Sequence, residues 1–257
     1  MKNDLPIGFF DSGVGGLSVF SKFRKLMPAE NVMYYADLKN LPYGNKSQEE
    51  LIGFARNIMD FFVSQNVKAV VIACNTSSAL AYDSIKNDYD VKIYPIIQSC
   101  AKVISQQKLL KVGVFATKGT VKSKAYSREI QKYNSMIEVC EIACPNWVSI
   151  VEGKLSDNED IKFHAEEMLE FNPDKIILGC THYPFLLNEL SEYISKDIFI
   201  DPADIFVDFI KKDLVENGLI NEVKERGSET FFVSAEPEEF YANSKMFYNP
   251  KSKPILI

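Results

Sequence analysis

The chain has 257 residues, of which 46% are hydrophobic and 25% are charged, and its net charge is -6. This composition is that of an ordinary globular protein, so disordered and fibrous classes are excluded, and the length allows one domain or two small ones. The acidic balance argues against a nucleic-acid partner, and no uncharged run reaches the roughly 18 residues that would predict a membrane span.

Strands and helices alternate along the chain. Apolar runs bounded by polar or glycine-containing loops predict strands, and apolar residues three or four positions apart predict helices. The predicted strands cover about 5–10, 32–36, 69–73, 91–94, 112–116, 137–143, 175–178 and 230–233, and the predicted helices about 17–26, 47–64, 79–85, 98–107, 117–133 and 160–171. This alternation predicts parallel sheets covered by helices, with functional sites at the carboxyl ends of strands.

One local arrangement occurs twice: a buried strand ends at a cysteine that is followed by polar residues. The first case is Cys74-Asn75-Thr76, and the second is Cys180-Thr181-His182. Because each half of the chain contains one copy, the sequence predicts an α/β fold of two pseudo-symmetric lobes. Each lobe would be a mostly parallel sheet covered by helices, with the active site in the cleft between them.

The second lobe is predicted to be an insertion in the first, since the strand at 230–233 needs a sheet to join. Residues 1–96 and 206–257 would form the lobe that carries Asp11 and Cys74. Residues 97–205 would form the lobe that carries Cys180 and His182.

The loop at residues 11–16, Asp-Ser-Gly-Val-Gly-Gly, partly matches a dinucleotide-binding fingerprint, because a strand precedes it and a helix follows. Ser18 stands where the fingerprint needs its third glycine, and the Asp11 carboxylate would repel a pyrophosphate. We therefore expect this loop to be a structural turn. Alternatively, if the first and third strands are adjacent, the Asp11 carboxylate could assist Cys74.

The five cysteines are an odd number without a paired framework, and the N-terminal residues lack the apolar region of a signal peptide. We therefore expect a cytoplasmic protein with free thiols. Cys100, Cys140 and Cys144 are predicted to be small buried hydrophobic residues. A metal site at Cys140 and Cys144 would lack the usual four ligands even with His164, so we expect none.

Cys74 and Cys180 differ from the others because helix-opening polar residues follow them. A helix N-terminus stabilises a thiolate, so we expect a pKa below the usual value of about 8.5. The polar neighbours would also form a pocket for a carboxylate. His182, two residues after Cys180, could exchange a proton with that thiol.

Two thiols on separate lobes suggest an acid/base group on each side of a bound molecule. A cysteine nucleophile would need only one thiol, and a redox pair would place both within disulfide distance. Racemisation at an amino acid's α-carbon needs two such groups. A non-catalytic amino-acid-binding protein and a nucleotide-dependent oxidoreductase remain alternatives.

Four stretches together resemble the signatures of the glutamate racemases, in that family's order and spacing. They are residues 11–18, 42–44, 74–76 and 179–182, and the loop at 116–120 is also similar. The resemblance covers about residues 7–201. It implies a cofactor-independent enzyme, without a metal, that interconverts L- and D-glutamate to supply D-glutamate for peptidoglycan. We also expect a homodimer, with no membrane or nucleic-acid partner.

By position, Cys74 assisted by Asp11 would be the base that acts on D-glutamate. Cys180 assisted by His182 would act on L-glutamate. The matching substrate-binding positions include Asp11 and His182, and the others are Ser12, Tyr43, Gly44, Asn75, Thr76 and Thr181, with Thr117, Thr120 and Glu152 as further candidates.

The histidine at position 182 favours glutamate as the substrate, because related aspartate racemases generally carry a glutamate there. A racemase of aspartate or of another amino acid is the nearest alternative. The C-terminal residues 247–250, Phe-Tyr-Asn-Pro, are not expected to touch the motifs.

Overall fold

The structure is a computed structural model that describes residues 2–223 and 225–257. Met1 and Lys224, which the predicted first lobe includes, lie outside the described residues. The strands are β1 (Ile7–Asp11), β2 (Val32–Ala36), β3 (Ala69–Ile72), β4 (Lys92–Pro95), β5 (Lys111–Ala116), β6 (Glu138–Ala143), β7 (Lys175–Gly179), β8 (Phe199–Ile200), β9 (Glu229–Val233) and β10 (Ile255–Leu256).

Helices connect most of these strands. The α-helices are α1 (Leu17–Leu26), α2 (Gln48–Ser64), α3 (Asn75–Leu80), α4 (Tyr82–Ile85), α5 (Ile96–Ile104), α6 (Lys118–Ser123), α7 (Ala125–Tyr133), α8 (Trp147–Val151), α9 (Asn158–Phe171), α10 (Leu187–Leu190), α11 (Pro202–Glu216) and α12 (Pro237–Ser244). Short 3-10 helices cover Lys2–Asp4, Leu38–Asn40, Tyr43–Asn45, Tyr183–Leu186 and Lys196–Ile198. Within the described ranges, no helix is both long and apolar enough to cross a membrane.

The strands form two parallel sheets. The first has six strands in the order β10-β9-β2-β1-β3-β4, and the second has four in the order β6-β5-β7-β8. The run β2-β1-β3-β4 and the whole second sheet therefore share one order, which confirms the predicted α/β class with two similar sheets. Strands β5–β8 lie between β4 and β9 in the chain, as an insertion requires. The exact lobe boundaries stay a prediction.

Several local predictions differ from the structure. Strand β9 is followed by β10, which adds a further strand at the edge of the first sheet. The single helix predicted up to Tyr133 is divided into α6 and α7 at Lys124, whose φ of 54° lies in the left-handed region. A residue in this conformation cannot continue a right-handed helix.

A continuous hydrophobic core joins the two sheets. It includes Phe9 from the first sheet and Phe115 from the second. Helix α11 packs against α1 and α5, and its first turn is capped by Asp201, whose Oδ1 accepts a hydrogen bond from the Ala203 amide at 2.9 Å. The other carboxylate oxygen lies 2.7 Å from Lys22 Nζ on α1. These contacts fix the loops of one sheet relative to those of the other.

Candidate active site

The topology brings both strand-end cysteines to equivalent positions. Cys74 follows β3 and stands at the N-cap position of α3, whereas Cys180 follows β7 and precedes the 3-10 helix at Tyr183–Leu186. Since β3 and β7 occupy the same place in the two sheets, both thiols leave the carboxyl end of a strand. Strand β1 pairs with β3, with Phe10 opposite Ile72, which confirms the predicted neighbourhood of Asp11 and Cys74.

The two loops meet at one cavity of about 220 Å³. Most of the predicted site residues line it: Ser12, Tyr43, Gly44, Cys74, Asn75, Thr76, Thr117, Glu152, Cys180, Thr181 and His182. Asp11 and Thr120 are fully buried and do not line the cavity.

The glycine loop after β1 wraps around the Asp11 carboxylate. Asp11 Oδ2 accepts hydrogen bonds from the Gly13 and Gly16 amides, each at 3.0 Å, while Oδ1 has no hydrogen-bond partner among the described residues. A Cβ on Gly16 would lie 2.4 Å from the Cβ of Asp11, so the loop needs glycine there. Burial raises the pKa of Asp11 to about 6, although these amides oppose the rise.

The expected low pKa of Cys74 is wrong. The thiol is only 5% exposed, and burial, together with the nearby Asp11 carboxylate, raises its pKa to about 12. The amide and hydroxyl of Ser77 lower the pKa, but more weakly. Cys74 is therefore a neutral thiol at neutral pH, ready to donate a proton.

Cys180 has a different partner system. Its Sγ lies 4.0 Å from Nδ1 of His182, and Nε2 of the same ring lies 3.1 Å from Oε1 of Glu152. Glu152 stands at the C-terminus of α8, and its other oxygen lies 2.7 Å from Lys154 Nζ. Burial favours the neutral form of Glu152, but its hydrogen bonds to His182 and Lys154 outweigh burial. The pKa of Glu152 therefore falls to about 2.

We expect His182 to be an imidazolium at neutral pH. Burial lowers its pKa, but hydrogen bonds to Cys180 and Glu152 outweigh burial and raise it to about 10. The protonated ring therefore stabilises the fold below about pH 6.5, and this contribution is lost as the pH rises through 10. Ring-nitrogen NMR can measure this, since the chain has two histidines. In the Glu152→Gln variant the His182 ring should titrate at a lower pH. An unchanged His182 pKa would contradict its pairing with Glu152.

A chain of hydroxyl groups bridges the two lobes beside the cavity. Thr76 Oγ1 on α3 lies 2.9 Å from Thr117 Oγ1, which lies 3.1 Å from Thr120 Oγ1. Thr120 thus contacts two cavity residues instead of the cavity itself. The Tyr43 hydroxyl donates to Asp37 Oδ2 at 2.5 Å, which fixes the phenol ring.

The Asn75 amide is oriented from the other lobe. The hydroxyl of Tyr126, a fully buried residue of α7, donates to Asn75 Oδ1 at 2.7 Å. The Asn75 Nδ2 group is buried and finds no acceptor within residues 2–223 and 225–257. An unpaired buried donor beside a cavity is suited to bind an anionic ligand.

Replacing Tyr126 with phenylalanine should weaken substrate binding more than turnover. Without the hydroxyl, the Asn75 amide loses the contact that sets its orientation, which costs about 1 kcal/mol, or a three- to tenfold rise in KM. Steady-state kinetics would measure this. Tyr133→Phe on the same helix is the control, because Tyr133 is 49% exposed. Equal kinetics in the two variants would contradict this role for Tyr126.

Some contacts were not predicted. The cavity is also lined by Gly13, Leu41, Pro42, Asn45, Lys118, Pro145, Val148 and Ser149. Pro42 and Lys118 lie inside stretches that carry the resemblance, whereas nothing in the sequence marks Pro145 or Val148.

The expectation that the C-terminal residues do not touch the motifs is wrong, because the Phe247 ring centroid lies 5.5 Å from that of His182.

The remaining cysteines do not line the cavity. Cys100 and Cys144 are buried, as predicted, whereas Cys140 on β6 is only partly buried. Within the part of the chain that the structure describes, no three His, Cys, Asp or Glu side chains converge to hold a metal ion.

Comparisons with known proteins agree with this geometry. The family described as Asp/Glu/hydantoin racemase matches residues 10–210. A glutamate racemase of Thermoanaerobacter sp. (strain X514) is 36% identical over 98% of this chain and 96% of its own length.

Solved structures are also similar. A glutamate racemase of Francisella tularensis in complex with D-glutamate is 32% identical, with a TM-score of 0.91 over 99% of this chain and 98% of that one. A glutamate racemase isoform of Bacillus anthracis is 27% identical, with a TM-score of 0.92 over 98% and 97%. The resemblance to glutamate racemases is thereby confirmed, and the chain belongs to the Asp/Glu/hydantoin racemase family of isomerases.

Proposed function

We propose that this protein interconverts L- and D-glutamate without a cofactor, using Cys74 and Cys180 as bases on opposite faces of the α-carbon. One observation carries the proposal: the two cysteines leave equivalent strand ends and line one cavity. Each has its own ionisable neighbour, Asp11 for Cys74 and His182 for Cys180. A protein that only binds an amino acid would need neither the pair of Cys74 and Asp11 nor the pair of Cys180 and His182.

In the direction from L- to D-glutamate, the Cys180 thiolate removes the α-proton. The electrons of the broken C–H bond pass to the α-carbon and delocalise into the adjacent carboxylate. The Cys74 thiol then donates its proton to the opposite face, which forms the new C–H bond and leaves Cys74 as a thiolate. The reverse direction exchanges the roles of the two sulfurs.

The neighbouring ionisable groups return the sulfurs to their starting states. His182 lies close enough to the Cys180 sulfur to exchange a proton, and Glu152 holds the ring in that orientation. After L-glutamate has reacted, Cys74 lacks a proton and Cys180 carries one, so the reset returns a proton to Cys74 and removes one from Cys180. Asp11 has a pKa near 6 and one unpaired carboxylate oxygen, so it can carry the proton that Cys74 regains, and before the reverse reaction it can accept the proton that Cys74 must lose.

Neutral donors are suited to bind the substrate's carboxylates. The cavity carries the Asn75 amide and the hydroxyls of Ser12, Thr76, Thr117 and Thr181. Donors that are already oriented stabilise the negative charge that develops on the carboxylate during proton removal. The D-glutamate complex of the similar Francisella protein supports glutamate as the ligand of this cavity.

Substrate choice can be tested with dialysed, chelator-treated protein and separate L- and D-forms of glutamate, aspartate, glutamine and alanine. Chiral chromatography should show racemisation of glutamate alone. Turnover of aspartate in preference to glutamate would replace the proposed substrate. Tight glutamate binding without turnover would favour the non-catalytic alternative.

We further propose that the product supplies D-glutamate for peptidoglycan, in a homodimeric enzyme. Expression in a bacterium that requires external D-glutamate should restore growth, and sedimentation analysis should give twice the 29.2 kDa chain mass. If growth is not restored, the role in peptidoglycan supply is wrong, and if the mass is that of a single chain, the homodimer is wrong. Neither result would affect the proposed chemistry.

A further inference from the structure

The segment after α12 reaches the candidate site through Phe247. Its ring meets the His182 ring edge to face, with centroids 5.5 Å apart and an interplanar angle of 80°. Phe185 packs against the same phenylalanine, with centroids 4.6 Å apart. Phe247 is only 9% exposed, so this contact also keeps water from part of the imidazole.

The His182 ring is confined by the protein around it. A Cβ added to Gly15 would lie 2.4 Å from both Nδ1 and Cε1 of the ring, so the glycine backbone packs directly against it. Cys180 and Glu152 each contact one ring nitrogen. Rotation of the ring about its last side-chain bond would break both polar contacts at once. Of the ring's neighbours, Phe247 supplies the apolar packing that restricts this rotation.

The position of Phe247 is itself fixed by its neighbours. The Phe247 and Tyr248 amides donate to the Ser244 carbonyl at 2.9 and 2.8 Å. The Tyr248 hydroxyl donates to Glu229 Oε2 on β9 at 2.7 Å, and its ring packs edge to face against Phe20 on α1. Phe247 is therefore anchored to the first sheet, whereas His182 follows a strand of the second.

We propose that Phe247 is a positioning residue that holds the His182 ring in line between Cys180 and Glu152. This inference rests on the proposed function, in which His182 exchanges protons with Cys180. Proton transfer depends steeply on the alignment of donor and acceptor, and small misplacements reduce rates severalfold to a hundredfold. Loss of Phe247 should therefore impair the Cys180 side of the reaction selectively.

The chain offers a matched control. Phe163 packs against the other histidine, His164, in the same edge-to-face manner, with centroids 5.3 Å apart. Ring-nitrogen NMR of the free protein should show altered or broadened His182 signals in Phe247→Ala, with His164 unchanged. Phe163→Ala should perturb His164 and leave His182 and the activity unchanged.

Isotope effects separate positioning from general damage. In Phe247→Ala we expect kcat/KM to fall about 10- to 100-fold. Because removal of the proton by Cys180 becomes slower, the primary isotope effect with α-deuterated L-glutamate should rise, while that with α-deuterated D-glutamate should fall. Phe247→Leu, which keeps most of the apolar volume, should recover part of the rate.

Two results would overturn the proposal: unchanged His182 signals in Phe247→Ala, or equal changes in both isotope effects. If the alanine variant does not fold, Phe247→Leu and Phe185→Ala give the same readouts with smaller expected changes, and the same criteria apply. The NMR measurement needs no substrate. It therefore tests Phe247 even if the wild-type protein does not act on glutamate.

Discussion

Replacing either Cys74 or Cys180 with serine is expected to lower the rate of glutamate racemisation about a thousandfold or more. A positioned general base contributes about 10²- to 10⁴-fold, and a serine hydroxyl is too weak an acid to take over. Both thiols are nearly buried in one cavity, so solvent is a poor substitute on either side. Circular dichroism at a fixed wavelength would follow the interconversion from each enantiomer.

The matched control for this experiment is Cys140→Ser. Cys140 is a partly buried thiol on β6 that does not line the cavity. Its substitution should leave the rate within about twofold of the wild type, since most surface or partly buried changes have small effects. If Cys74→Ser or Cys180→Ser retained more than a tenth of the rate, the two-base account would fail.

Replacing Asp11 with asparagine is expected to stabilise the protein while it removes most of the activity. Burial raises the pKa of Asp11 from its ordinary value of 3.8 to about 6, so the charged carboxylate costs folding free energy. Unlike a group with a lowered pKa, Asp11 destabilises the fold above about pH 6, and this cost disappears as the pH falls below 3.8. The rise corresponds to about 3 kcal/mol at most.

The two effects of Asp11→Asn can be measured on one preparation. Thermal unfolding should show a higher midpoint than the wild type at pH 8, and the difference should shrink toward pH 4. Racemisation should fall at least about a hundredfold, because the asparagine can neither accept a proton from Cys74 nor return one to it. Asp174→Asn is the control, since the amides of Lys111 and Leu110 lower the pKa of that exposed carboxylate. A less stable Asp11→Asn variant across this pH range would contradict the burial argument.

The fold class and the two strand-end cysteines could be predicted from local patterns, whereas most of the other cavity residues were expected from the resemblance to the glutamate racemases. Apolar runs identify buried strands, and parallel strands end at a common edge of their sheet. The residues that follow β1 and β3 therefore had to lie near one another at one edge of the first sheet. Because the same strand-cysteine arrangement occurs again at Cys180, the sequence also predicted a second, similar sheet whose loop faces the same site.

The properties that depend on distant packing could not be predicted. The pKa of Cys74 follows from burial and from the nearby Asp11 carboxylate, which outweigh the local hydrogen bonds. Glu152 reaches His182 because the short helix α8, which carries no strong pattern, ends at that residue. The contact between Phe247 and His182 joins segments 65 positions apart, and no local signal marks it.

The most direct test of the two-base account is the fate of deuterium during early turnover of L-glutamate in deuterated water. If Cys180 removes the proton and Cys74 supplies its replacement, the D-glutamate formed should carry deuterium at the α-carbon. The unreacted L-glutamate should keep its proton, because a buried Cys180 thiol returns the same proton to the same face. Deuterium appearing equally fast in recovered L-glutamate, or protium retained in the D-glutamate product, would contradict the account.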